Sequence, residues 1–322
     1  RRRNASKYKE VTSVKKAELL VTPKNVEHIR ELIQAGADAF LVGEQYFGLR
    51  LAGEFTLDDI QAATKLVKEH NKKIYVAMNG IFHNDKVDEL GPYMQKIQEI
   101  GVDAIVFGDP AVIIARREAG VTLPLHWNTE QTATNYFTAN YWGKRGSTRA
   151  VLARELSLEE VIDIKENAEV EVEAQVHGMT CMFQSKRSLI GNYFLFQDKA
   201  MEVENRSQNK NMFLHDKERS NKYPIFEDQN GTHIFSPNDI CMIDELDEFL
   251  DAGVDSLKID GILHETSYVT EVTSYYRQAI DAYYESRSAY KELKKELFKK
   301  IEAIQPPLRP LDTGFYFKET VY

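Results

Sequence analysis

Cysteine is scarce in this chain of 322 residues, and long apolar runs are missing. Its two cysteines, Cys181 and Cys241, are too few for a disulfide framework, which fits a reducing compartment. No run of about eighteen apolar residues exists, so the sequence predicts no membrane span. The first residues are polar and basic, without the apolar segment of a signal peptide. We therefore expect a cytoplasmic protein with no membrane partner.

Several well-known catalytic motifs are also missing. The chain has no His-Glu-x-x-His for zinc, no Gly-x-Ser-x-Gly nucleophile elbow and no P-loop. No Gly-x-Gly-x-x-Gly follows the first predicted strand, which disfavours a dinucleotide-binding fold. The net charge of −9 argues against indiscriminate binding to nucleic acid, although it leaves room for a local basic patch.

One short phrase, a glycine followed by any residue and an aspartate, recurs before apolar runs. Glycine at this position is typical of a helix C-terminus, where it adopts the left-handed conformation. The apolar run is typical of a strand in a parallel sheet that is covered on both faces. The repetition therefore indicates repeated β/α units. The three junctions are Gly36-Ala37-Asp38 before 39–42, Gly101-Val102-Asp103 before 104–107, and Gly253-Val254-Asp255 before 256–259.

Eight such strands can be assigned, with helical segments between them. Eight β/α units in about 260 residues is the size of a TIM barrel, so we predict an α/β protein with a (β/α)8 fold. A doubly wound open sheet is the alternative. The predicted strands are 18–21, 39–42, 73–78, 104–107, 124–127, 149–153, 169–176 and 256–259.

The remaining segments are assigned around this barrel. Residues 1–16 are predicted to be a polar N-terminal arm, and residues 17–304 to form the barrel. An insertion interrupts it after the seventh strand, at about 194–236. Residues 305–322 are expected to be a C-terminal tail.

Three features are predicted within the second half of the chain. A hairpin should turn at Asn230-Gly231, inside the insertion. A helix should begin at Ser236-Pro237 and run to Asp251. One long amphipathic helix should then extend from His264 to Ile304, where prolines follow.

Residues at the carboxyl ends of the predicted strands are candidates for a site, because active sites of TIM barrels lie there. The strand ends meet at one rim, so we expect these side chains to share one mouth. For each residue, a structural salt bridge is the alternative. The candidates are Glu44, Asn79, Asp109, Asn128, Glu130, Arg154, Glu155, His177, Cys181, Lys258 and Asp260.

The seventh predicted strand ends at His177-Gly178 and is followed by Cys181. A strand end that leads to a thiol is typical of a functional site, but the local pattern favours a packed and inert cysteine, because most free cysteines are structural. As a nucleophile pair, Cys181 and His177 give a weak signal, because they are expected on a loop and nothing fixes their geometry.

The stretch from Glu173 to Cys181 reads Glu-Ala-Gln-Val-His-Gly-Met-Thr-Cys, and Asn192-Tyr193 follows it. This phrase resembles the signature of peptidase family U32, the collagenase-like proteases. The resemblance extends over roughly residues 17–322 and adds Glu173 to the candidate catalytic residues. The further phrases that carry it are RELSLEE at 154–160, VAMN at 76–79, SPNDIC at 236–241 and TGFY at 313–316.

The resemblance implies a function as well as a fold. Members of the nucleic-acid branch of U32 act in oxygen-independent hydroxylation of RNA, with prephenate implicated as a cosubstrate. The chain resembles the shorter of two neighbouring proteins in tRNA wobble uridine hydroxylation (5-hydroxyuridine formation). We therefore expect tRNA as substrate, with a longer paralogous partner or a homo-oligomer. Two alternatives stay open: a collagenase-like peptidase, with or without a metal, and a non-catalytic binding subunit.

The hydroxylating relatives hold an iron–sulfur cluster with four cysteines. By resemblance, Cys181 matches the first ligand and Cys241 the last, whereas Ser188 occupies the second position. The third position falls near Glu204 or Asn205, with no cysteine nearby. Serine and carboxylate are poor replacements for thiolate on iron. The two cysteines are thus expected to be remnants of a cluster site, and this chain alone is not expected to hold a cluster.

A protein of net negative charge that binds tRNA must concentrate positive charge locally, because phosphate contacts dominate affinity for nucleic acids. Basic and aromatic residues follow the seventh strand and occupy the insertion, where aromatic rings can stack on unpaired bases. A solvated polar surface is the alternative. The candidate RNA-binding residues are Lys186, Arg187, Tyr193, Arg206 and Lys210.

Overall fold

The structure is a computed structural model, and it describes residues 16–128, 133–199, 212–216, 218 and 221–318. The predicted N-terminal arm therefore lies outside the described residues except for its last residue. Among the described residues, no helix has both the length and the apolar character needed to cross a membrane.

The first half of the chain alternates strands with helices. The strands are β1 (Glu18–Val21), β2 (Ala39–Val42), β3 (Lys73–Met78), β4 (Ala104–Phe107), β5 (Leu125–Trp127), β6 (Ser147–Val151) and β7 (Glu171–Gly178). The helices between them are α1 (Val26–Gln34), α2 (Leu57–Glu69), α3 (Asn84–Ile100), α4 (Pro110–Glu118), α5 (Tyr136–Gly143) and α6 (Leu158–Asn167). Each strand pairs in parallel with the next, from β1 to β7.

The repeated glycines end helices as predicted. Gly36, Gly101 and Gly253 have φ angles of +97°, +90° and +74°, in the left-handed region that glycine adopts without strain. A buried strand follows each of them after two or three residues. The repeated phrase is therefore a true αβ junction, confirmed at all three places.

The insertion folds as a small antiparallel sheet with one helix. Its elements are β8 (Cys181–Ser185), α7 (Leu189–Phe196), β9 (Phe213–His215), β10 (Lys222–Asp228) and β11 (Gly231–Phe235). The strand order is β8-β11-β10-β9, and the predicted hairpin pairs Ile225 with Ile234. The insertion begins at Cys181 rather than near residue 194, because Cys181 pairs with Phe235 in a strand instead of lying on a loop.

The helix predicted from Ser236 to Asp251 is wrong in its first half. Instead, the chain forms β12 (Asp239–Cys241), a 3₁₀ turn (Ile243–Glu245) and only then α8 (Leu246–Ala252). Tertiary pairing overrides the local capping signal, because β12 lies antiparallel to the end of β7. The hydroxyl of Ser236 accepts from the Thr180 amide at 3.1 Å, so it does not cap a helix.

The eighth strand closes the barrel. β13 (Ser256–Ile259) pairs in parallel with both β1 and β7, so that Lys258 lies beside Leu20 on one side and Gln175 on the other. An open sheet would leave the first strand at an edge. The (β/α)8 prediction is therefore confirmed, and the doubly wound alternative is wrong.

The C-terminal region consists of two helices rather than one, α9 (Thr266–Glu285) and α10 (Arg287–Ile304). The break falls at Ser286, which is extended and whose hydroxyl accepts from the Ala289 amide as an N-cap. The segment after α10 packs on the barrel. It contains β14 (Leu311–Asp312), which pairs with β12, and the buried Tyr316, whose hydroxyl donates to the Gln175 carbonyl at 2.6 Å.

The interior of the barrel contains a buried charge network. Arg149 is only 2% exposed, and its Nη1 lies 2.7 Å from a carboxylate oxygen of Glu18 and 3.2 Å from one of Glu173. Burial disfavours the charged guanidinium, but Glu18 and Glu173 more than offset this and raise the pKa of Arg149. The guanidinium also contacts Glu171 at the barrel wall, 2.8 Å away. Arg149 is therefore a permanent cation held among carboxylates.

We expect Arg149→Met to lower the free energy of unfolding by about 3–5 kcal/mol, because it leaves Glu18 and Glu173 buried without their cation. Urea denaturation followed by circular dichroism measures this. The matched control is Glu171→Gln, which removes the partner that is 32% exposed and should cost less than about 1 kcal/mol. Equal effects of the two substitutions would contradict a central role for the buried network.

Candidate functional site at the barrel mouth

A polar cluster occupies the mouth of the barrel, at the carboxyl ends of its strands. The Lys258 ammonium lies 3.1 Å from Oδ2 of Asp260, and the Arg154 guanidinium lies 3.6 Å from the same oxygen. On the other side, the Thr22 hydroxyl lies 3.4 Å from Oδ1 of Asp260. All four side chains line one narrow cavity. The mouth thus holds one carboxylate between two cations.

Electrostatics keep Asp260 ionised. Burial opposes its charge, but Lys258 and Arg154 hold the pKa of the Asp260 carboxyl below its ordinary value. Arg50 lines the same cavity, so cations outnumber carboxylates among its lining residues. A cavity with this charge favours a ligand that carries negative charge.

The end of β7 fixes the backbone at Asp260. The Asp260 amide donates to the His177 carbonyl at 3.0 Å. Gly178, which follows His177, has a φ of +100°, and a Cβ there would lie 2.3 Å from the Asp260 carbonyl oxygen. Only glycine allows this close approach of the two strand ends. The position of Asp260 therefore depends on the His-Gly pair, although the His177 side chain is not in the mouth.

An open groove of about 320 Å³ adjoins the inner cavity and shares Leu49, Arg50, Asn79 and Asn128 with it. Asn79 accepts a hydrogen bond from the Leu49 amide at 2.9 Å, which fixes the loop after β2 over the mouth. Asn128 is 4% exposed, and its Oδ1 finds no hydrogen-bond partner within the part of the chain that the structure describes.

The insertion covers the mouth from above. Arg50 Nη1 donates to Gln184 of β8 at 2.7 Å, and Asn230 of the hairpin donates to the Gln45 carbonyl at 2.9 Å. The small sheet is therefore tied to the loop that follows β2. Arg50 itself has a φ of +52°, which a non-glycine residue rarely adopts.

The structure brings together Asn79, Asn128, Lys258 and Asp260 from the predicted catalytic set. It places the other four differently. Asp109 borders the groove but also caps α4, accepting from the Ala111 amide at 2.9 Å.

Glu44 lies against α3 near Tyr93, where burial raises the pKa of its carboxyl, and does not line either cavity. Glu173 lies deeper in the barrel, with Arg149. Among the other candidates, Glu155 is exposed to solvent, and Glu130 lies outside the described residues.

His177 lies behind the barrel wall instead of in its mouth, contrary to our prediction. A register shift between β7 and β13 occurs at this residue, and its ring packs against α9, with Nε2 2.7 Å from the Tyr268 hydroxyl. Burial lowers the pKa of His177 to about 3, so its ring is neutral. Its surroundings include Asp239, which forms an ion pair with Arg309 of the C-terminal segment.

The two cysteines lie in different environments. Cys241 packs in the main core with its sulfur 3.9 Å from the Tyr276 hydroxyl, and burial raises the pKa of its thiol to about 12. Cys181 packs against the small cluster under the inserted sheet, and its sulfur lies 3.4 Å from the Phe183 carbonyl. Cys241 lies opposite His177 in the pairing of β12 with β7, and the Tyr276 hydroxyl contacts both, 3.5 Å from Nδ1 of His177 and 3.9 Å from the Cys241 sulfur. This geometry gives no support to a Cys–His nucleophile pair.

The cysteines also do not fit a four-thiolate cluster site. Ser188, the counterpart of the second ligand, precedes α7. Within the described ranges, no three His, Cys, Asp or Glu side chains are grouped to hold a metal ion. We therefore derive no chemistry of this chain from an iron–sulfur cluster.

The predicted RNA-binding residues fall on the insertion. Lys186 and Arg187 are exposed on the bend between β8 and α7, and Tyr193 on α7 is 57% exposed. Burial and, after it, the charge of Lys186 lower the pKa of Lys86 on α3. Arg206 and Lys210 lie outside the described residues.

Sequence reasoning missed two residues of the mouth. Thr22 follows β1 directly and could have been found by the rule that selected the other strand ends. Arg50 lies in a loop, and no local pattern marks it as a mouth residue. The cluster behind the wall, around Asp239 and Arg309, was also missed because it depends on the docking of the C-terminal segment.

The fold and the mouth define a (β/α)8-barrel protein with a polar site at the carboxyl ends of its strands. The model of peptidase family U32 matches residues 24–321. The chain therefore belongs to peptidase family U32, as the resemblance of its motifs indicated.

Three relatives place the chain within this family. It is 61% identical to tRNA hydroxylation protein P2 of Bacillus subtilis, over 96% of this chain and 100% of that protein. It is 32% identical to tRNA hydroxylation protein P1 of the same bacterium, over 84% of this chain and 64% of P1. With tRNA hydroxylation protein P of Escherichia coli, the identity is 29% over 83% of this chain and 68% of that protein. B. subtilis thus contains two paralogous relatives of this chain.

We predict that the purified chain binds no stable [4Fe–4S] cluster, because Ser188 replaces one thiolate and a second is missing. Anaerobic reconstitution followed by iron and sulfide analysis measures this. Stoichiometric iron and sulfide that are lost in Cys181→Ala would contradict the prediction. Cys241→Ala is the matched variant, since a genuine cluster should need both thiols.

Proposed function

We propose that this protein acts in tRNA hydroxylation, in the oxygen-independent formation of 5-hydroxyuridine at the wobble position. The observation that carries the proposal is the 61% identity to a tRNA hydroxylation protein over that protein's whole length. Identity at this level, with no part of the relative left unmatched, favours a common role. A tRNA substrate implies that the protein works in the cytoplasm.

The cationic cavity of the mouth has a volume of only about 20 Å³, so it can take one carboxylate group of a cosubstrate and not the whole molecule. The resemblance to the nucleic-acid branch of U32 implies prephenate, which carries two carboxylates. Arg154 and Lys258 provide buried positive charge beside Asp260, and Arg50 adds a third cation to the lining. Guanidinium groups are well suited to hold carboxylates. We assign these three cations the role of binding the cosubstrate.

A paralogous partner is part of the proposal. The P1 and P2 relatives occur in one bacterium, and this chain matches P2 over its full length but only 64% of P1. We propose that the chain works with a longer P1-type protein, and that the partner holds any cluster the reaction requires. A homo-oligomer is the alternative, and co-purification of the two proteins from one cell distinguishes them.

Because the family is named as a peptidase family, proteolysis is the second hypothesis for the function. No observation on the described residues favours it over RNA modification. His177 is bonded to Tyr268, and Cys241 is a buried thiol with a raised pKa. The test below separates the two classes.

Mass spectrometry of tRNA nucleosides in a strain that lacks this gene tests the function. We expect 5-hydroxyuridine and its derivatives to decrease, and the gene on a plasmid to restore them. A second strain lacking the longer paralogue should show the same decrease if the two proteins work as a pair. Unchanged levels of 5-hydroxyuridine and its derivatives in the first strain would contradict the proposed function and favour the peptidase hypothesis.

We expect Lys186→Ala combined with Arg187→Ala to weaken tRNA binding and to flatten its dependence on salt. Each lost phosphate contact should reduce the slope of log affinity against log salt by about 0.9. Fluorescence anisotropy across a salt series measures both quantities, with circular dichroism to verify folding. Lys65→Ala, on the surface of α2, is the matched control. Unchanged affinity and slope in the double variant would remove this patch from the RNA site.

A further inference from the structure

We propose that the groove at the carboxyl ends of β3, β4 and β5 receives a single pyrimidine base of the RNA, swung out of its strand. In this arrangement, Asn128 binds the hydrogen-bonding edge of the base. The inference rests on the proposed function and deepens it by assigning the base its own pocket. This pocket adjoins the cationic cavity behind it, and the two share Arg50 and Asn128 in their linings.

The main evidence is the state of the Asn128 side chain. It is 96% buried, since only 4% is exposed, and it lines both the groove and the inner cavity. Its Oδ1 has no partner among the described residues. A buried polar atom without a partner costs free energy, so such an atom at a groove indicates a ligand that supplies the missing bond.

An amide side chain presents an acceptor and a donor next to each other. The uracil edge presents the N3–H donor beside a carbonyl acceptor, so one asparagine can form two parallel hydrogen bonds with it. The Asn128 backbone is fixed for this role, because its amide donates to the Phe107 carbonyl at 2.7 Å.

The backbone at Gly108 leaves space in the groove that a side chain would occupy. A Cβ at Gly108 would lie 3.0 Å from the Asn128 carbonyl oxygen and 3.7 Å from that of Asn79, so glycine keeps this space clear. Ile81, which is 58% exposed, and Pro110 provide apolar surface at the border. A volume of about 320 Å³ falls within the range of small-molecule sites, about 300–1,000 Å³.

Charge distinguishes the groove from the inner cavity. The Asp109 carboxylate borders the groove, whereas Arg154 and Lys258 line only the inner cavity. Arg50 lines both spaces, and Asp109 balances its charge in the groove, whereas the inner cavity has an excess of positive charge that favours an anion. Gln184 also lines the groove and lies two residues before Lys186. A base in the groove would therefore leave its phosphates near Lys186 and Arg187.

Photo-cross-linking tests the pocket with an anticodon stem-loop RNA that carries 4-thiouridine at the wobble position. We expect the wild-type protein to cross-link within the segments that line the groove, identified by mass spectrometry of the peptides. Asn128→Ala should reduce the yield at least about tenfold. Total RNA affinity should change less than about twofold, because phosphate contacts supply most of it. Asn167→Ala, at the end of α6 on the opposite rim of the barrel, is the matched control.

A chemical change in the RNA provides a measurement that does not depend on the folding of a variant. A stem-loop with 3-methyluridine lacks the N3–H donor, and it should compete about tenfold less well for cross-linking to the wild-type protein. In Asn128→Ala the methyl group should have no further effect. Free uridine should compete only weakly with the stem-loop, since it lacks the phosphate contacts.

Cross-linking that persists in Asn128→Ala, or that maps outside the groove, would overturn the inference. Equal competition by the methylated and unmethylated stem-loops would overturn it as well. If the wild-type protein does not cross-link although 5-hydroxyuridine is lost in the deletion strain, the base pocket is wrong and the proposed function stands. If 5-hydroxyuridine is retained in that strain, the proposed function is wrong, and the base pocket loses the function on which it rests.

Discussion

The buried guanidinium of Arg149 is the constraint on which the interior of this barrel depends. One part of the interior is apolar, with Leu20, Leu41 and Val106, but another part contains carboxylates that cannot remain charged without a cation. Arg149 supplies this cation, and its guanidinium contacts the Glu18 carboxylate in the interior of the barrel. The next layer toward the mouth holds ionic groups of its own, Lys258 and Asp260.

That second layer is the candidate site. In the parallel register, Lys258 lies beside Gln175, and Asp260 follows two residues later, directly after the end of β13. The approach of Gly178 to the Asp260 carbonyl then fixes how closely β7 and β13 converge. The register shift at the same point turns the His177 ring to the back of the wall. A single irregularity therefore separates the mouth from the buried cluster that anchors the C-terminal segment.

The sequence predicted the barrel well because its signal is local and repeated. A glycine that ends a helix and an apolar run that follows it need no knowledge of distant residues, and one such run leads to Lys258 and Asp260 at the mouth. Apolar runs without a Gly-x-Asp junction lead to Asn79 and Asn128. The misplaced His177 depends on a register shift between strands far apart in sequence. The helix predicted from Ser236 failed for the same reason, since β12 exists only through its pairing with β7 and β14. The catalytic roles of the residues in the mouth stay predictions.

The central claim is that the chemistry of this protein belongs to the barrel mouth and not to the remnants of a cysteine site. Complementation of the deletion strain, followed by tRNA nucleoside mass spectrometry, tests this most directly, with immunoblots to equalise protein levels. The account predicts that Lys258→Met fails to restore 5-hydroxyuridine, whereas Cys181→Ser restores it fully. Full restoration by Lys258→Met together with failure of Cys181→Ser would contradict it.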